Sequence, residues 1–384
     1  MKAVGIIAEY NPFHNGHLYH LKTIKTKYPN HVIVLVMTGN FTERGEVAII
    51  DKWKRTEIAL KLGVDLVIEL PFPFATQSAD YFSYGAITLL EKLKVEKVIF
   101  GSESDNIEDL ELIAKTQIDN NDFDKLVKIY SKLGENYPTA ISNAIYDLTT
   151  KKIVTPNDLL GISYLKTIIK YNYNIKAESI KRTTNYHETE LAENIASATS
   201  IRIALKNDES ITNQVPKEVI PYLTNLHFMD DYYNILKYKI MTESDLTIYQ
   251  TVDEGLDNKL KKNISKAKNI DELIKSVKSK RYTYNKLSRM LLHILCNFTK
   301  EKAQNFKEIT YIRILGFNEL GRNYLGSIKK EIDIPIISKV VREKDPILEF
   351  EITTTEIYDI TSNNNLVKNE FTKIIYIKGE NEND

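Results

Sequence analysis

The chain is predicted to be an α/β protein built on a doubly wound parallel sheet, and three observations predict it. The first hundred residues alternate short apolar runs with stretches of helical length, separated by turns. The second apolar run is continuous, which is typical of a strand inside a parallel sheet. A mostly helical, lysine-rich region follows, and a small α/β unit closes the chain.

The elements of the first part follow in order. Strands are predicted at 3–8, 31–37, 66–69 and 97–100, and helices at 18–28, 52–62 and 79–93. Gly63 ends the second helix and Gly101 ends the fourth strand. Such sheets bind ligands at the carboxyl ends of their strands. We expect 14–17, 38–40 and 101–103 to lie at that edge.

The later part of the chain is predicted with fewer strands. Residues 104–150 are expected to be helical and to form an insertion or a lid; a helix at 159–170, a strand at 178–182 and a helix beginning within 197–202 follow. Two strands at 311–315 and 334–338 flank a helix at 318–330. From about Asp231 the chain becomes basic and mainly helical. This change divides it into a first domain at 1–205, a linker at 206–230 and a basic C-terminal region at 231–384.

Composition excludes several classes of protein. The 384 residues are 42% apolar and carry 52 basic and 52 acidic side chains, which is ordinary for a soluble protein. The single cysteine, Cys296, excludes a disulfide framework and is expected to be a buried structural thiol. No charged leader precedes the first strand, and no apolar run approaches the roughly 20 residues of a membrane span. A cytoplasmic protein with no membrane association and no obligatory protein partner is expected.

The segment from Ala3 to His17 predicts a phosphate site. An apolar strand ends in the turn Asn11-Pro12, and His14-Asn-Gly-His17 opens a helix. Unpaired backbone N–H groups and the helix dipole favour an anion there, and two imidazoles can donate hydrogen bonds to a phosphoryl group. His14 and His17 are therefore predicted to be catalytic, in chemistry at the phosphates of a nucleotide.

Two other interpretations of the histidine pair remain open. His14 and His17 could merely cap the helix, or two imidazoles three residues apart could share a metal ion, although no carboxylate or cysteine pattern nearby completes such a site. His20 belongs to the same helix but lies outside the motif, and the motif alone places it at the surface.

A second motif, Ser197-Ala-Thr-Ser-Ile-Arg202, combines hydroxyl groups with an arginine at a helix start. Thr199 and Arg202 are predicted to hold phosphates from the side opposite the histidines. The chain has no P-loop motif and no Lys-Met-Ser-Lys-Ser loop. These absences argue against a P-loop enzyme and an ordinary class I aminoacyl-tRNA synthetase.

The segment 259–302 is strongly basic. Its thirteen lysines and arginines face three carboxylates, a net charge of about +10, and Tyr282 and Tyr284 lie within it. Such a segment is either a solvated lysine-rich face or an RNA-binding surface with bases stacked on the tyrosines. The predicted RNA-contacting residues are Lys275, Lys278, Lys280, Arg281, Lys286 and Arg289.

These residues resemble the bacterial tRNA(Met) cytidine acetate ligases, a Rossmann-like branch of the nucleotidylyltransferase superfamily. The likeness spans nearly the whole chain. It rests on the segments 5–17, 37–45, 63–71, 100–103, 197–202 and 313–317.

The resemblance implies an enzyme that activates acetate with ATP as acetyl-adenylate. It would then acetylate the exocyclic amine of the wobble cytidine in elongator tRNA(Met), with 1–205 as the ATP-binding domain and 231–384 as the tRNA-binding region. Mg²⁺ is expected with ATP, but no aspartate cluster identifies its ligands. The implied ATP-binding residues are Ile7, Ala8, Glu9, Tyr10, Asn11, Pro12, Phe13, His14, Asn15, Gly16, His17, Leu18, Tyr19, His20, Gly101, Asn157 and Arg182, with Thr199 and Arg202 as the superfamily's Ser/Thr-Arg motif.

One departure is Ala198, where many relatives in the superfamily have a second serine. Two alternatives to the implied activity are a nucleotidylyltransferase acting on a small phosphorylated metabolite and a non-catalytic RNA-binding protein with a relic nucleotide site. The basic C-terminal half argues against the first alternative. Intact His14, Gly16, His17, Thr199 and Arg202 argue against the second.

Overall fold

The structure is a computed structural model of the chain, and it describes residues 1–152, 155–182, 196–253, 255–342, 345–362 and 364–377. The described strands form one eight-stranded sheet. They are β1 (Ala3–Ala8), β2 (Val32–Thr38), β3 (Leu66–Leu70), β4 (Lys97–Ser102), β5 (Lys176–Lys181), β6 (Ile312–Asn318), β7 (Ile336–Ile337) and β8 (Ile375–Ile377).

The sheet order places the predicted site at a topological switch point. The strands lie in the order β5-β4-β1-β2-β3-β6-β7, with β8 paired to β6. The first five strands are mutually parallel. The chain moves outward from β1 through β2 to β3 and then returns to the other side of β1 for β4 and β5. In doubly wound sheets the ligand crevice opens where the order reverses, here at the carboxyl ends of β1 and β4.

Most helices connect or cover these strands. In the first part they are α1 (Asn15–Lys27), α2 (Lys52–Lys61), α3 (Phe72–Ala75), α4 (Ala79–Lys92), α5 (Ile107–Asp119), α6 (Phe123–Lys132), α7 (Tyr137–Thr149), α8 (Pro156–Lys170) and α9 (Ala198–Lys206). The helices α5 to α7 form the predicted insertion between β4 and α8. Every residue of β2 is buried, which explains why its sequence is a continuous apolar run.

The basic region is helical, as predicted. Its helices are α10 (Tyr233–Thr242), α11 (Leu256–Asn263), α12 (Ile270–Val277), α13 (Tyr284–Leu295) and α14 (Lys300–Asn305). Cys296 follows α13 and is buried, and burial raises the pKa of its thiol. Among the described residues, no helix combines the length and apolar character needed to cross a membrane.

The C-terminal strands differ from the expectation of a separate small unit. The predicted strand–helix–strand is present as β6, α15 (Glu319–Ile328) and β7, but β6 pairs antiparallel with β3 and so extends the main sheet. Two helices after residue 345, α16 (Pro346–Asp359) and α17 (Leu366–Thr372), were not predicted. The exposed edge of β3 needs a partner strand, and one supplied from the far end of the chain leaves no local mark in the sequence.

Candidate functional site

The turn between β1 and α1 is organised by the two histidines. His14 is the N-cap of α1, and its Nδ1 accepts a hydrogen bond from the backbone N–H of Gly16 at 3.1 Å. The Nδ1 of His17 accepts from the backbone N–H of His14 at 3.3 Å. The two rings are stacked, with centroids 3.7 Å apart. The capping interpretation is therefore correct for both side chains, but it uses only one nitrogen of each ring.

Capping fixes the tautomer of both rings. A neutral imidazole carries one proton, so a ring that accepts at Nδ1 must carry its N–H at Nε2. Burial lowers the pKa of His14 to about 3 and holds the pKa of His17 well below its ordinary value, with nearby positive charge adding to both shifts. Both rings are thus neutral at physiological pH. Each keeps one Nε2–H donor that the helix cap does not use.

A second group of predicted residues meets at the ends of β4 and β5. The guanidinium of Arg182 donates to the side-chain oxygen of Asn157 at 3.1 Å, and Asn157 donates in turn to the carboxylate of Glu103. A Cβ on Gly101 would lie 3.0–3.1 Å from the side-chain carbons of Arg182, so glycine leaves that side chain room to cross the end of β4. The charge of Arg182 also lowers the pKa of His14. Because β4 is paired with β1, the strand that leads into the histidine turn, the group lies beside that turn.

The Ser/Thr-Arg motif lies against the opening loop. Ser197 caps α9, and Arg202 donates to the backbone oxygen of Asn11 at 2.9 Å and to the carboxylate of Glu46 at 2.6 Å. The same guanidinium reaches the hydroxyl of Thr199 at 3.4 Å. The structure therefore brings the opening loop, Gly101, Asn157, Arg182 and the motif at 199–202 around one crevice. Asn15 is tied to the chain after α9 by a 2.8 Å hydrogen bond to the oxygen of Asn213.

Arg55, which no sequence motif singled out, binds the ends of the strands that carry the opening loop. Arg55 is buried, and its guanidinium donates to the backbone oxygens of Glu9, Thr38, Gly39 and Ile50. The oxygens of Glu9, Thr38 and Gly39 lie at the carboxyl ends of β1 and β2, so one side chain binds both strand ends. Nothing in a single sequence distinguishes this arginine from the other cations on amphipathic helices.

His20 is not a surface residue, contrary to the expectation from the motif. It is half-buried one turn after His17, and its Nε2 is enclosed with no hydrogen-bond partner among the described groups. Burial, with the charge of Arg182, lowers its pKa to about 4. In the described part of the chain, no three His, Cys, Asp or Glu side chains converge as a metal-binding group.

The predicted RNA-contacting residues differ in exposure. Lys275, Lys278, Lys280 and Arg281 are exposed, whereas Lys286 and Arg289 are half-buried. The ammonium of Lys286 lies 4.8 Å from the centroid of the Tyr282 ring. Arg289 points toward the sheet, where it binds the backbone and carboxylate oxygens of Glu43 at 2.9 and 2.5 Å. Arg289 therefore binds α13 to the loop that contains Glu43.

Glu9 is the titratable carboxyl of the opening loop. Burial raises its pKa from 4.5 to about 7; the neighbouring carboxylates of Glu43 and Glu46 add to the rise, while a hydrogen bond from the N–H of Glu43 opposes it. Between about pH 4.5 and 7 the folded chain thus keeps a proton that the unfolded chain has lost. The free energy of unfolding falls as the pH rises through this window.

Glu9→Gln is expected to remove that fall, because glutamine does not titrate. Between pH 5 and pH 8 the variant should lose less stability than the wild-type chain, measured by urea unfolding at both pH values. Glu108→Gln, at an exposed position in the first turn of α5, serves as the control and should behave as the wild type. Equal pH dependence in wild type and Glu9→Gln would contradict the assignment.

Known proteins resemble this chain over most of its length. The family model described as HIGH Nucleotidyl Transferase matches residues 1–373. The tRNA(Met) cytidine acetate ligase of Anoxybacillus flavithermus is 40% identical over 378 residues, covering 93% of this chain and 94% of that protein. The enzyme of the same name from Lysinibacillus sphaericus is 39% identical, covering 94% and 95%.

A solved structure extends the likeness to three dimensions. The crystal structure of Thermotoga maritima TmcAL bound with alpha-thio ATP is 29% identical and covers 99% of this chain and 100% of that one, with a TM-score of 0.89. The α/β fold class and the family resemblance drawn from the sequence are both confirmed. The chain belongs to the HIGH nucleotidyl transferases and, among them, to the tRNA(Met) cytidine acetate ligase family.

Proposed function

We propose that this protein uses ATP to join acetate to the wobble cytidine of elongator tRNA(Met), forming N4-acetylcytidine. The observation that carries the proposal is the pair of neutral, tautomer-fixed histidines at the switch point, with Arg182 and Arg202 on either side. The relatives named tRNA(Met) cytidine acetate ligase and the ATP-analogue complex of the related Thermotoga protein support the same activity.

In the first step, a carboxylate oxygen of acetate attacks the α-phosphorus of ATP. The bond from that phosphorus to the bridging oxygen breaks, pyrophosphate leaves and acetyl-adenylate remains. The Nε2–H groups of His14 and His17 donate to the phosphoryl oxygens as their negative charge grows, and no proton transfer from the rings is required. The guanidinium groups of Arg182 and Arg202 hold the remaining phosphate charge.

In the second step, the exocyclic amine of cytidine attacks the acetyl carbonyl. The carbon–oxygen bond to AMP breaks, AMP leaves and the amine loses one proton to solvent. The target base lies in a single-stranded loop, where extruding it costs little. This sequence of steps needs no covalent protein nucleophile, in keeping with the buried Cys296.

Three further assignments accompany the proposed activity. Mg²⁺ is proposed to enter with ATP, bound mainly to phosphate oxygens as is usual for this metal. The exposed cations of the basic helical region are proposed to bind the tRNA backbone, and the residues are Lys275, Lys278, Lys280 and Arg281, with Lys286 beside them. Because the substrate is a tRNA, a cytoplasmic location is proposed as well.

The test is incubation with ATP, labelled acetate and elongator tRNA(Met), followed by mass analysis of the tRNA nucleosides. Label is expected in N4-acetylcytidine only when all three substrates are present, with release of pyrophosphate and AMP. Transfer of AMP or CMP to a small phosphorylated metabolite would instead indicate the nucleotidylyltransferase alternative. RNA binding without turnover would indicate the relic-site alternative.

A further inference from the structure

The basic helix α13 is fixed directly to a loop of the first domain. The hydroxyl of Ser288 donates to the backbone oxygen of Gly45 at 2.8 Å, and Arg289 binds Glu43. Gly45 has a φ of +78°, and a Cβ there would lie 2.2 Å from the backbone nitrogen of Arg289. The loop 42–46 and α13 are thus in backbone contact, and the helix cannot shift without moving the loop.

The same loop is bound to the opening loop of the ATP site. The N–H of Glu43 donates to the carboxylate of Glu9 at 2.7 Å. The carboxylate of Glu46 accepts from Arg202, which also holds the backbone oxygen of Asn11. Two consecutive polar contacts therefore connect the nucleotide site with α13. Whatever α13 presents to solvent is therefore held in a fixed position relative to the opening loop.

Tyr284 is the aromatic residue that α13 presents. It is the first residue of the helix and is 37% exposed, whereas Tyr282 is 6% exposed and its ring is covered by Lys286. Partial burial raises the pKa of Tyr284 to about 12, and the nearby carboxylates of Asp271 and Glu46 add to the rise. Tyr284 lies one helical turn before Ser288, which binds Gly45, so the exposed tyrosine lies close to the loop 42–46 that contacts the opening loop.

We propose that the exposed ring of Tyr284 is a stacking platform for an unpaired base of the RNA substrate as it enters the ATP site. The inference rests on the proposed function and names one contact within it. Stacking on an aromatic ring is the common way in which proteins hold unpaired bases, and cations beside the ring bind the adjacent phosphates. Lys280, Arg281 and Lys286 lie within four residues of Tyr284 in the sequence.

The test compares Tyr284→Ala, Tyr284→Phe and, as a control, Tyr238→Ala. Tyr238 lies on α10 in the same basic region and is 71% exposed. We expect Tyr284→Ala to raise both the tRNA Kd and the KM for tRNA by about 10-fold. The KM for ATP and the thermal stability should stay at wild-type values. Tyr284→Phe keeps the ring and should stay within about twofold of wild type, as should Tyr238→Ala.

Two results would overturn the inference. The first is a tRNA Kd for Tyr284→Ala within twofold of wild type. The second is a Tyr284→Phe variant that binds tRNA as weakly as Tyr284→Ala. That result would show that the hydroxyl group, and not the ring, contributes to binding. The Kd is measured without turnover, so it tests Tyr284 even if the wild-type chain forms no acetylcytidine. An inactive wild type would count against the proposed function and leave the Kd comparison intact.

Discussion

His17→Ala is expected to lower the rate of acetate-dependent pyrophosphate release by about 10²- to 10³-fold. The substitution removes the ring and with it the Nε2–H donor. That donor binds negative charge that appears only as the α-phosphorus is attacked. An interaction made in the transition state changes kcat far more than KM, so the KM for ATP should change little. The tRNA Kd should stay at the wild-type value, because the basic helices are untouched. Rapid-quench measurement of acetyl-adenylate, together with tRNA binding, checks both expectations.

His17→Asn separates catalysis from helix capping. An asparagine side chain ends at the position of the δ nitrogen, so its oxygen can still accept from the N–H of His14, but nothing reaches the Nε2 position. This variant should be as stable as the wild type and as slow as His17→Ala. His31→Ala serves as the control. His31 precedes β2 and so lies at the amino ends of the parallel strands, whereas His17 lies at their carboxyl ends. A His17→Asn enzyme that retains wild-type kcat would show that His17 only caps the helix.

The part of the site that could be predicted from sequence is the part made by neighbouring residues. The turn from β1 into α1 and the start of α9 are each fixed by a short local pattern, in which a strand end, a cap and a helix start follow one another. The family resemblance added Asn157 and Arg182, which no local pattern would have selected, and implied a role in binding ATP for Gly101, which the strand pattern had already placed at the carboxyl ends of the strands. The structure places these three beside the histidine turn, and their role in binding ATP stays a prediction.

The features that escaped prediction depend on contacts between distant segments. Arg55 binds strand ends from α2, and Arg289 reaches Glu43 across more than two hundred residues. In a single sequence each of them is one of 52 basic side chains. A charged side chain normally predicts a solvent-exposed position. It is buried only where a residue from another segment forms a hydrogen bond or an ion pair with it. The pairing of β6 with β3 escaped prediction for the same reason.

A buried cluster of charged side chains, which joins α2, β3, β6 and α17, is another long-range feature. Lys52 of α2 is fully buried, and its ammonium lies 2.6 Å from the carboxylates of both Glu69 and Glu370. Arg313 approaches Glu370 at 3.6 Å. Burial raises the pKa of Glu351, and repulsion from Glu69 adds to the rise. The cluster joins α16 and α17 to the end of β3, which explains how the unpredicted C-terminal helices are held on the first domain.

Lys52→Met is expected to lower the free energy of unfolding by about 3–5 kcal/mol, because it leaves buried carboxylates without their main counter-charge. The measurement is urea unfolding at pH 8. Lys61→Met, which removes an exposed partner of Glu57 on the same helix, should cost no more than about 1 kcal/mol. Adding Glu69→Gln to Lys52→Met should restore part of the loss, since one uncompensated charge is then gone. A loss below 1 kcal/mol for Lys52→Met, or no recovery in the double variant, would mean that packing rather than charge pairing holds the C-terminal helices to the sheet.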